Sequence, residues 1–288
     1  TTFRLVGFLG HANLTTVTIN LLLPLIIIQI MAHRHWLARS AFGILTFGAL
    51  LIEFFASSRA GWIAGGISLS IMGLLLTWSY RNHLLTFRER WENLHLFYRG
   101  TIIVFFTGVA LVLAQLLIRQ VQHGTHSSDI IASRQSFWES AWELFLRQPW
   151  TGLGPGTFSW FYPLTVSVPP TVVLPHAHSA IFQLLAEGGV IGIISGIILI
   201  VVSGQQLWQR WRTMENKAVA AALIGGISGV AVHHLFDYFF NAPLFTFLFV
   251  IVCALTFTSA TQSIALKWIA LPIIASIAFS AYSMIGVA

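Results

Sequence analysis

Two arginines lie where an otherwise apolar chain could bind an anion. Arg59 sits in Ser57-Ser-Arg-Ala-Gly-Trp62 between two apolar runs. An arginine costs about 2.5–3.5 kcal/mol at the membrane centre, and less near a helix end, where it can snorkel. Its planar guanidinium matches a phosphate. Arg134 is predicted to open an amphipathic helix, whose terminal amides would bind an anion with it. The alternatives are a snorkelling Arg59 and a solvated Arg134.

Two histidines, His176 and His178, stand in Leu174-Pro-His-Ala-His-Ser-Ala180. A neutral imidazole can act as a general base near neutral pH. Histidines two residues apart can also chelate a metal, but no carboxylate or thiolate is close in sequence, so no metal site is predicted. The remaining alternative is a pair of interfacial polar side chains.

A third polar group, His233, His234 and Asp237, ends a later apolar run. The spacing of His234 and Asp237 would allow a carboxylate to orient an imidazole, and His233 with Asp237 fits equally well. The interpretation that the pattern favours is a helix cap and turn before Pro243.

Two acids fall inside apolar runs. Glu187 shares a helix face with Gln183 and is predicted to pair inside a helix bundle. Glu53 precedes Arg59 by about one and a half turns and is a candidate partner for it.

Composition indicates where these groups reside. Charged residues make up 8% of the chain and hydrophobic residues 56%, whereas a soluble domain carries roughly 25% charged residues. The net charge of +6 comes from short basic clusters between apolar runs, which is typical of membrane topology and argues against nucleic-acid binding. We therefore expect an all-α, polytopic membrane bundle.

The apolar runs predict about eight spans. They cover residues 14–31, 41–56, 60–79, 101–118, 179–203, 218–235, 243–260 and 267–286.

Basic residues predict the orientation. The connections 32–40, 80–100, 204–217 and 261–267 carry ten Lys and Arg, against five on the other side, so these connections should be cytoplasmic. Both termini, Arg59, Arg134 and the histidines then face outward.

The organisation that follows has three parts. Residues 1–118 form four spans, 119–178 an extracytoplasmic loop, and 179–288 four more spans. Within the loop, a helix capped by Ser136 and Glu139 should precede a glycine-rich turn at 152–156, which lacks the Lys-Ser/Thr of a phosphate loop. Residues 84–98 predict a cytoplasmic interfacial helix. Because the first motif comes at once after Thr1, we expect earlier helices of a longer protein to precede it.

The order of motifs resembles the C-terminal half of the superfamily of O-antigen ligases and polymerases, bacterial membrane glycosyltransferases. The resemblance covers nearly the whole chain. It rests, in order, on Gly7-Phe-Leu-Gly-His-Ala-Asn13, Ser58-Arg-Ala-Gly-Trp62, the Arg134 helix, Gln148-Pro-Trp-Thr-Gly-Leu-Gly-Pro-Gly-Thr-Phe158 and His176-Ala-His-Ser-Ala-Ile-Phe-Gln-Leu-Leu-Ala-Glu-Gly-Gly189.

The resemblance implies transfer of a glycan from an undecaprenyl-diphosphate carrier to a hydroxyl of a lipid, glycan or protein, outside the cytoplasmic membrane, without cofactor or metal. By motif, Arg59 and Arg134 would bind the diphosphate and His178 would deprotonate or orient the acceptor. Further substrate-binding candidates are His176, Trp62, Asn13, His234 and Asp237. The family's usual asparagines are replaced here by Ser179 and His11.

Two other functions stay open from the residues. Intramembrane charges also mark the paths of transporters, here of a small anionic solute, although no internal repeat is evident. A structural subunit of a membrane complex is the third possibility.

Overall fold

The computed structural model describes residues 11–80, 127–166 and 176–257. Within these ranges the chain is helical and contains no strand. It forms two compact units, one of residues 1–73 with 134–288 and the other of residues 74–133. All the candidate site residues belong to the first unit.

The helices follow the predicted spans closely. In chain order they are α1 (Ala12–Ala32), α2 (Trp36–Ala56), α3 (Arg59–Ser79), α4 (Ser127–Arg147), the single-turn α5 (Phe158–Phe161), a 3₁₀ turn (Tyr162–Leu164), α6 (Ala180–Thr213), α7 (Lys217–His233) and α8 (Pro243–Phe257). Four of them, α1, α2, α3 and α6, are long and apolar enough to cross a membrane, and α7 and α8 are shorter apolar helices. The predicted spans at 101–118 and 267–286, and the interfacial helix at 84–98, lie outside the described residues, so the number of about eight stays a prediction.

Small residues of α7 let it pack closely against two other helices. A Cβ on Gly225 would lie 2.7 Å from the Ser68 carbonyl oxygen of α3, and one on Gly226 would lie 2.5 Å from the Leu21 carbonyl oxygen of α1. Because lipid provides little hydrophobic drive between membrane helices, such close backbone contact is their main source of attraction. Helices α1, α3 and α7 therefore form the centre of the bundle.

Helix α6 is broken near its start, at Gly189, which has φ 59° and ψ −153°. The segment 149–154 fills the break with backbone hydrogen bonds. Leu153 N–H donates to the Ala186 carbonyl at 2.9 Å, and Val190 N–H donates to the Pro149 carbonyl at 2.8 Å. The glycine-rich segment is thus a turn, as predicted, with positive φ at Gly152, Gly154 and Gly156, and it satisfies the polar groups that the break exposes.

Helix α4 corrects one prediction. It extends from Ser127 to Arg147, so Arg134 lies two turns inside it and does not open it. Ser136 and Glu139 are likewise interior and form no capping box; Glu139 instead accepts from Gln135 at 2.8 Å. The anion site expected at a helix N-terminus beside Arg134 is therefore wrong, because the amides there are already used in the helix.

Candidate active site

The motif around His178 forms a strained turn where the chain enters α6. His178 has φ 51°, in the left-handed region, which is uncommon outside glycine. Hydrogen bonds hold the turn: Ala177 N–H donates to Gln183 Oε1 at 2.7 Å, His178 N–H donates to His176 Nδ1 at 3.3 Å, and Ala180 N–H donates to the His234 carbonyl at 2.9 Å. These bonds hold the strained backbone around His178 in place, as is common for strained residues at functional sites.

The His178 ring meets Asp237, which lies on the segment after α7. Nδ1 of His178 is 3.0 Å from Oδ1 of Asp237. The carboxylate is fully buried, whereas the His178 side chain is 19% exposed. A carboxylate at Nδ1 selects the tautomer with its proton on that nitrogen, so Nε2 keeps a lone pair. This is the arrangement of an oriented general base.

Two further donors hold the Asp237 carboxylate. Asn13 Nδ2 donates to Oδ2 at 2.7 Å, and the Tyr238 amide donates to Oδ1 at 2.9 Å. Burial by itself raises the pKa of Asp237, but the hydrogen bond and charge of His178, the charge of His176 and the Asn13 hydrogen bond outweigh it and lower the pKa below its ordinary value. The group is therefore ionised at neutral pH.

His176 lies against the same carboxylate. Its Nδ1 is 3.8 Å from Asp237 Oδ1, and its ring centroid is 4.4 Å from that of His178. Burial, with the electrostatic effect of His178, lowers the pKa of His176 to about 4, although Asp237 acts in the opposite direction. His176 is consequently neutral when the site is at neutral pH.

Helix α4 covers the site from one side. Phe137 stacks on the His178 ring with centroids 5.6 Å apart, and Trp138 stacks on Phe182 of α6 at 5.2 Å. Arg134 lies one turn earlier on the same helix face. It is half-buried, and its charge is close enough to His233 for the two to interact electrostatically.

Arg59 is the first residue of α3, and it is exposed. Its turn is capped by Ser58, whose Oγ accepts from Gly61 N–H at 3.0 Å. Gly61 contacts α1, since a Cβ there would lie 2.7 Å from Thr16. Thr16 is one turn from Asn13, the donor to Asp237, so the Arg59 turn and the His178–Asp237 pair lie at the same end of the bundle.

The structure shows the helix cap and turn that the sequence favours after α7, with His234 as the C-cap residue. Asp237 lies beyond the end of α7 and bonds His178, whereas His234 Nδ1 bonds the Val230 carbonyl at 2.9 Å. The His234 ring packs among Phe239, Phe240 and Phe245. The less favoured pairs of His233 or His234 with Asp237 form no hydrogen bond, because both spacings assumed that the helix continues to Asp237.

The remaining candidates have structural contacts. Trp62 donates from its indole to the Glu53 carbonyl at 3.1 Å, which ties α3 to α2. Glu187 accepts from Phe158 N–H at 3.0 Å, so its predicted internal pairing is confirmed. The Glu53 carboxyl is buried beside Asn20.

Sequence reasoning missed the partner of His178 and the helix break. Asp237 follows His178 by 59 residues, and no local pattern relates two residues at that separation. The pair Gly188-Gly189 was a weak indication of the helix break in the sequence, since paired small residues are frequent at kinks.

Fold and site together define a multi-spanning helical membrane protein with a buried carboxylate and a partly exposed histidine at one end of its bundle. The family model of the O-antigen ligases matches residues 41–197. That is just over half of the 288 residues. The chain belongs to the O-antigen ligase family, whose ligases are bacterial membrane glycosyltransferases.

The matched region contains Arg59, Arg134, His176 and His178, whereas Asn13 and Asp237 lie outside it. No curated protein and no solved structure matches the chain.

Proposed function

We propose that this protein transfers a glycan from an undecaprenyl-diphosphate carrier to an acceptor hydroxyl on the outer side of the bacterial cytoplasmic membrane. The observation that carries the proposal is the 3.0 Å contact between His178 Nδ1 and the buried Asp237 carboxylate. Family membership supports the reaction class. Positive charge concentrated in the predicted cytoplasmic connections supports the orientation.

The reaction needs one base. His178 Nε2 takes the proton of the acceptor hydroxyl as its oxygen bonds the anomeric carbon of the donor sugar. The bond from that carbon to the diphosphate breaks, and the diphosphate leaves with the electron pair. Asp237 stabilises the imidazolium that forms.

The leaving diphosphate needs cations. Arg59 and Arg134 supply them, one from the end of α3 and one from the face of α4 that also carries Phe137. Cationic donors that the fold holds in place stabilise developing negative charge better than solvent does. The substrate site is supported by four further side chains through the contacts described above: Trp62, His176, Asn13 and His234.

The test is transfer from an undecaprenyl-diphosphate-linked donor by purified protein in the presence of EDTA. We expect transfer by the unchanged chain, and its loss in Arg59→Ala and His178→Ala without loss of folded protein. Arg147→Ala is the matched control, because that arginine pairs on the surface with Glu143 at 2.6 Å and should not matter.

Full activity in both Arg59→Ala and His178→Ala would refute the proposed roles. If well-folded protein transfers to no lipid, glycan or protein acceptor, a transporter of a small anionic solute or a structural subunit becomes the better explanation.

A further inference from the structure

The His176 imidazole lies near the Asp237 carboxylate, although the proposed reaction uses only His178 as its base. Its Nδ1 is 3.8 Å from Asp237 Oδ1, too far for a hydrogen bond. The ring is buried and lies edge-on to His178. His176 Nδ1 accepts a hydrogen bond of 3.3 Å from the His178 amide, and both imidazoles place their Nδ1 atoms within 3.8 Å of one carboxylate oxygen.

The spacing of these atoms fits a metal ion. One ligand atom from each of His176, His178 and Asp237 lies within 4.8 Å of the other two. In a tetrahedral zinc site with bonds of about 2.0 Å, ligand atoms are roughly 3.3 Å apart. The two distances to Asp237 Oδ1, 3.0 Å from His178 and 3.8 Å from His176, lie on either side of that value.

The ligand types and their surroundings also fit. Two histidines and one carboxylate form a common protein site for divalent transition metals, with a fourth position left for water. The carboxylate that the local sequence lacked comes from Asp237, and Asn13 holds its second oxygen as an outer-shell partner would. The partly exposed side of His178 gives an ion a route in.

We propose that His176, His178 and Asp237 bind a divalent transition-metal ion such as Zn²⁺, and that the bound ion inhibits glycan transfer. The metal binding is inferred from the geometry alone, whereas the inhibition rests on the proposed function.

Inhibition follows from the tautomer of His178. In the free site the proton is on Nδ1 and the Nε2 lone pair accepts the hydroxyl proton. An ion bound at Nδ1 uses the lone pair of that nitrogen, so the ring proton moves from Nδ1 to Nε2 and the ring stays neutral, with no net loss of a proton. The base then has no free lone pair. Holding a catalytic histidine in its wrong tautomer costs on the order of 10⁴ in turnover in serine proteases.

Binding is tested with Co²⁺, whose visible absorption reports four-coordinate ligation by protein. The purified full chain should develop this band with one equivalent of Co²⁺ and lose it on addition of Zn²⁺. His176→Ala should lack the band. The matched control is His33→Ala/His35→Ala, which removes a second pair with the same spacing, outside this cluster. An unchanged band in His176→Ala, or no band in the unchanged chain, would overturn the proposal.

Inhibition is tested on the same proteins after treatment with EDTA. Micromolar free Zn²⁺ should lower transfer by the unchanged chain and by His33→Ala/His35→Ala at least about a hundredfold. Any glycan transfer that His176→Ala retains should be far less sensitive to Zn²⁺. Co²⁺ binding without inhibition would overturn the inhibition half. A chain that binds Co²⁺ at His176 but transfers no glycan, even with EDTA, would refute the proposed function and leave the metal site standing.

Discussion

Asn13 Nδ2 donates a hydrogen bond of 2.7 Å to Asp237 Oδ2, although the two residues are 224 positions apart. The bond connects the start of α1 with the segment after α7. Asp237 uses its other oxygen for His178. The first motif of the chain therefore acts on the base through the carboxylate.

Asn13→Leu should lower the rate of glycan transfer by about tenfold to a hundredfold, because a hydrogen bond to a charged group contributes about 1.5–3 kcal/mol. The turnover number and the KM for the lipid-linked donor would be measured separately. The loss should fall on turnover. Asn216→Leu serves as control, since Asn216 caps the other end of α7. Turnover equal to that of the unchanged chain would exclude a positioning role for Asn13.

Asp237→Asn should lower turnover by about 10³- to 10⁴-fold while the protein remains folded. An amide nitrogen beside His178 Nδ1 favours the wrong tautomer and gives no charge to stabilise the imidazolium. Single-turnover transfer, with size-exclusion profiles for folding, measures this. A decrease smaller than tenfold would mean that His178 does not depend on Asp237.

Gly189→Ala should destabilise the protein by several kcal/mol. Its positive φ disfavours a side chain, and a Cβ would lie 2.6 Å from both Gly152 N and the Pro149 carbonyl oxygen. Gly204→Ala is a matched control in the same helix, because a Cβ there meets nothing within 4 Å. Thermal unfolding in detergent should show a large decrease in midpoint for Gly189→Ala alone. Equal midpoints would mean that the break is not required.

His234 should make the protein less stable in acid. Burial lowers the pKa of His234, although the Val230 hydrogen bond and Asp237 act in the opposite direction. Below the ordinary histidine pKa of about 6.5, the unfolded chain binds a proton that the folded chain does not, so the free energy of unfolding falls as pH falls. The contribution of His234 is fully present above that pH.

In His234→Phe, the new phenyl ring should pack among Phe239, Phe240 and Phe245 as the imidazole does, but it has no group that titrates. Its unfolding midpoint should therefore decrease less than that of the unchanged chain between pH 7.5 and pH 5. Parallel decreases in the two proteins would show that His234 is not the titrating group.

Much of the fold was predictable from sequence. The apolar runs located α1, α2, α3 and the start of α6 to within a few residues, because a helix in lipid must satisfy its backbone internally and be apolar along its length. The end of α6 was not predicted well. The helix continues to Thr213, ten residues past the apolar run, since polar residues with high helix propensity extend a helix beyond the membrane.

By itself, the sequence determined the class of protein, the membrane helices and the residue types able to act, with His178, Arg59 and Arg134 among them. These properties depend on composition and on local spacing. The tertiary structure decided which groups meet: Asp237 bonds His178 and not His234, Asn13 holds Asp237, and His176 completes a ligand set. These contacts bridge distant parts of the chain, and only the packing of α1, α6 and α7 at one end of the bundle brings these residues together.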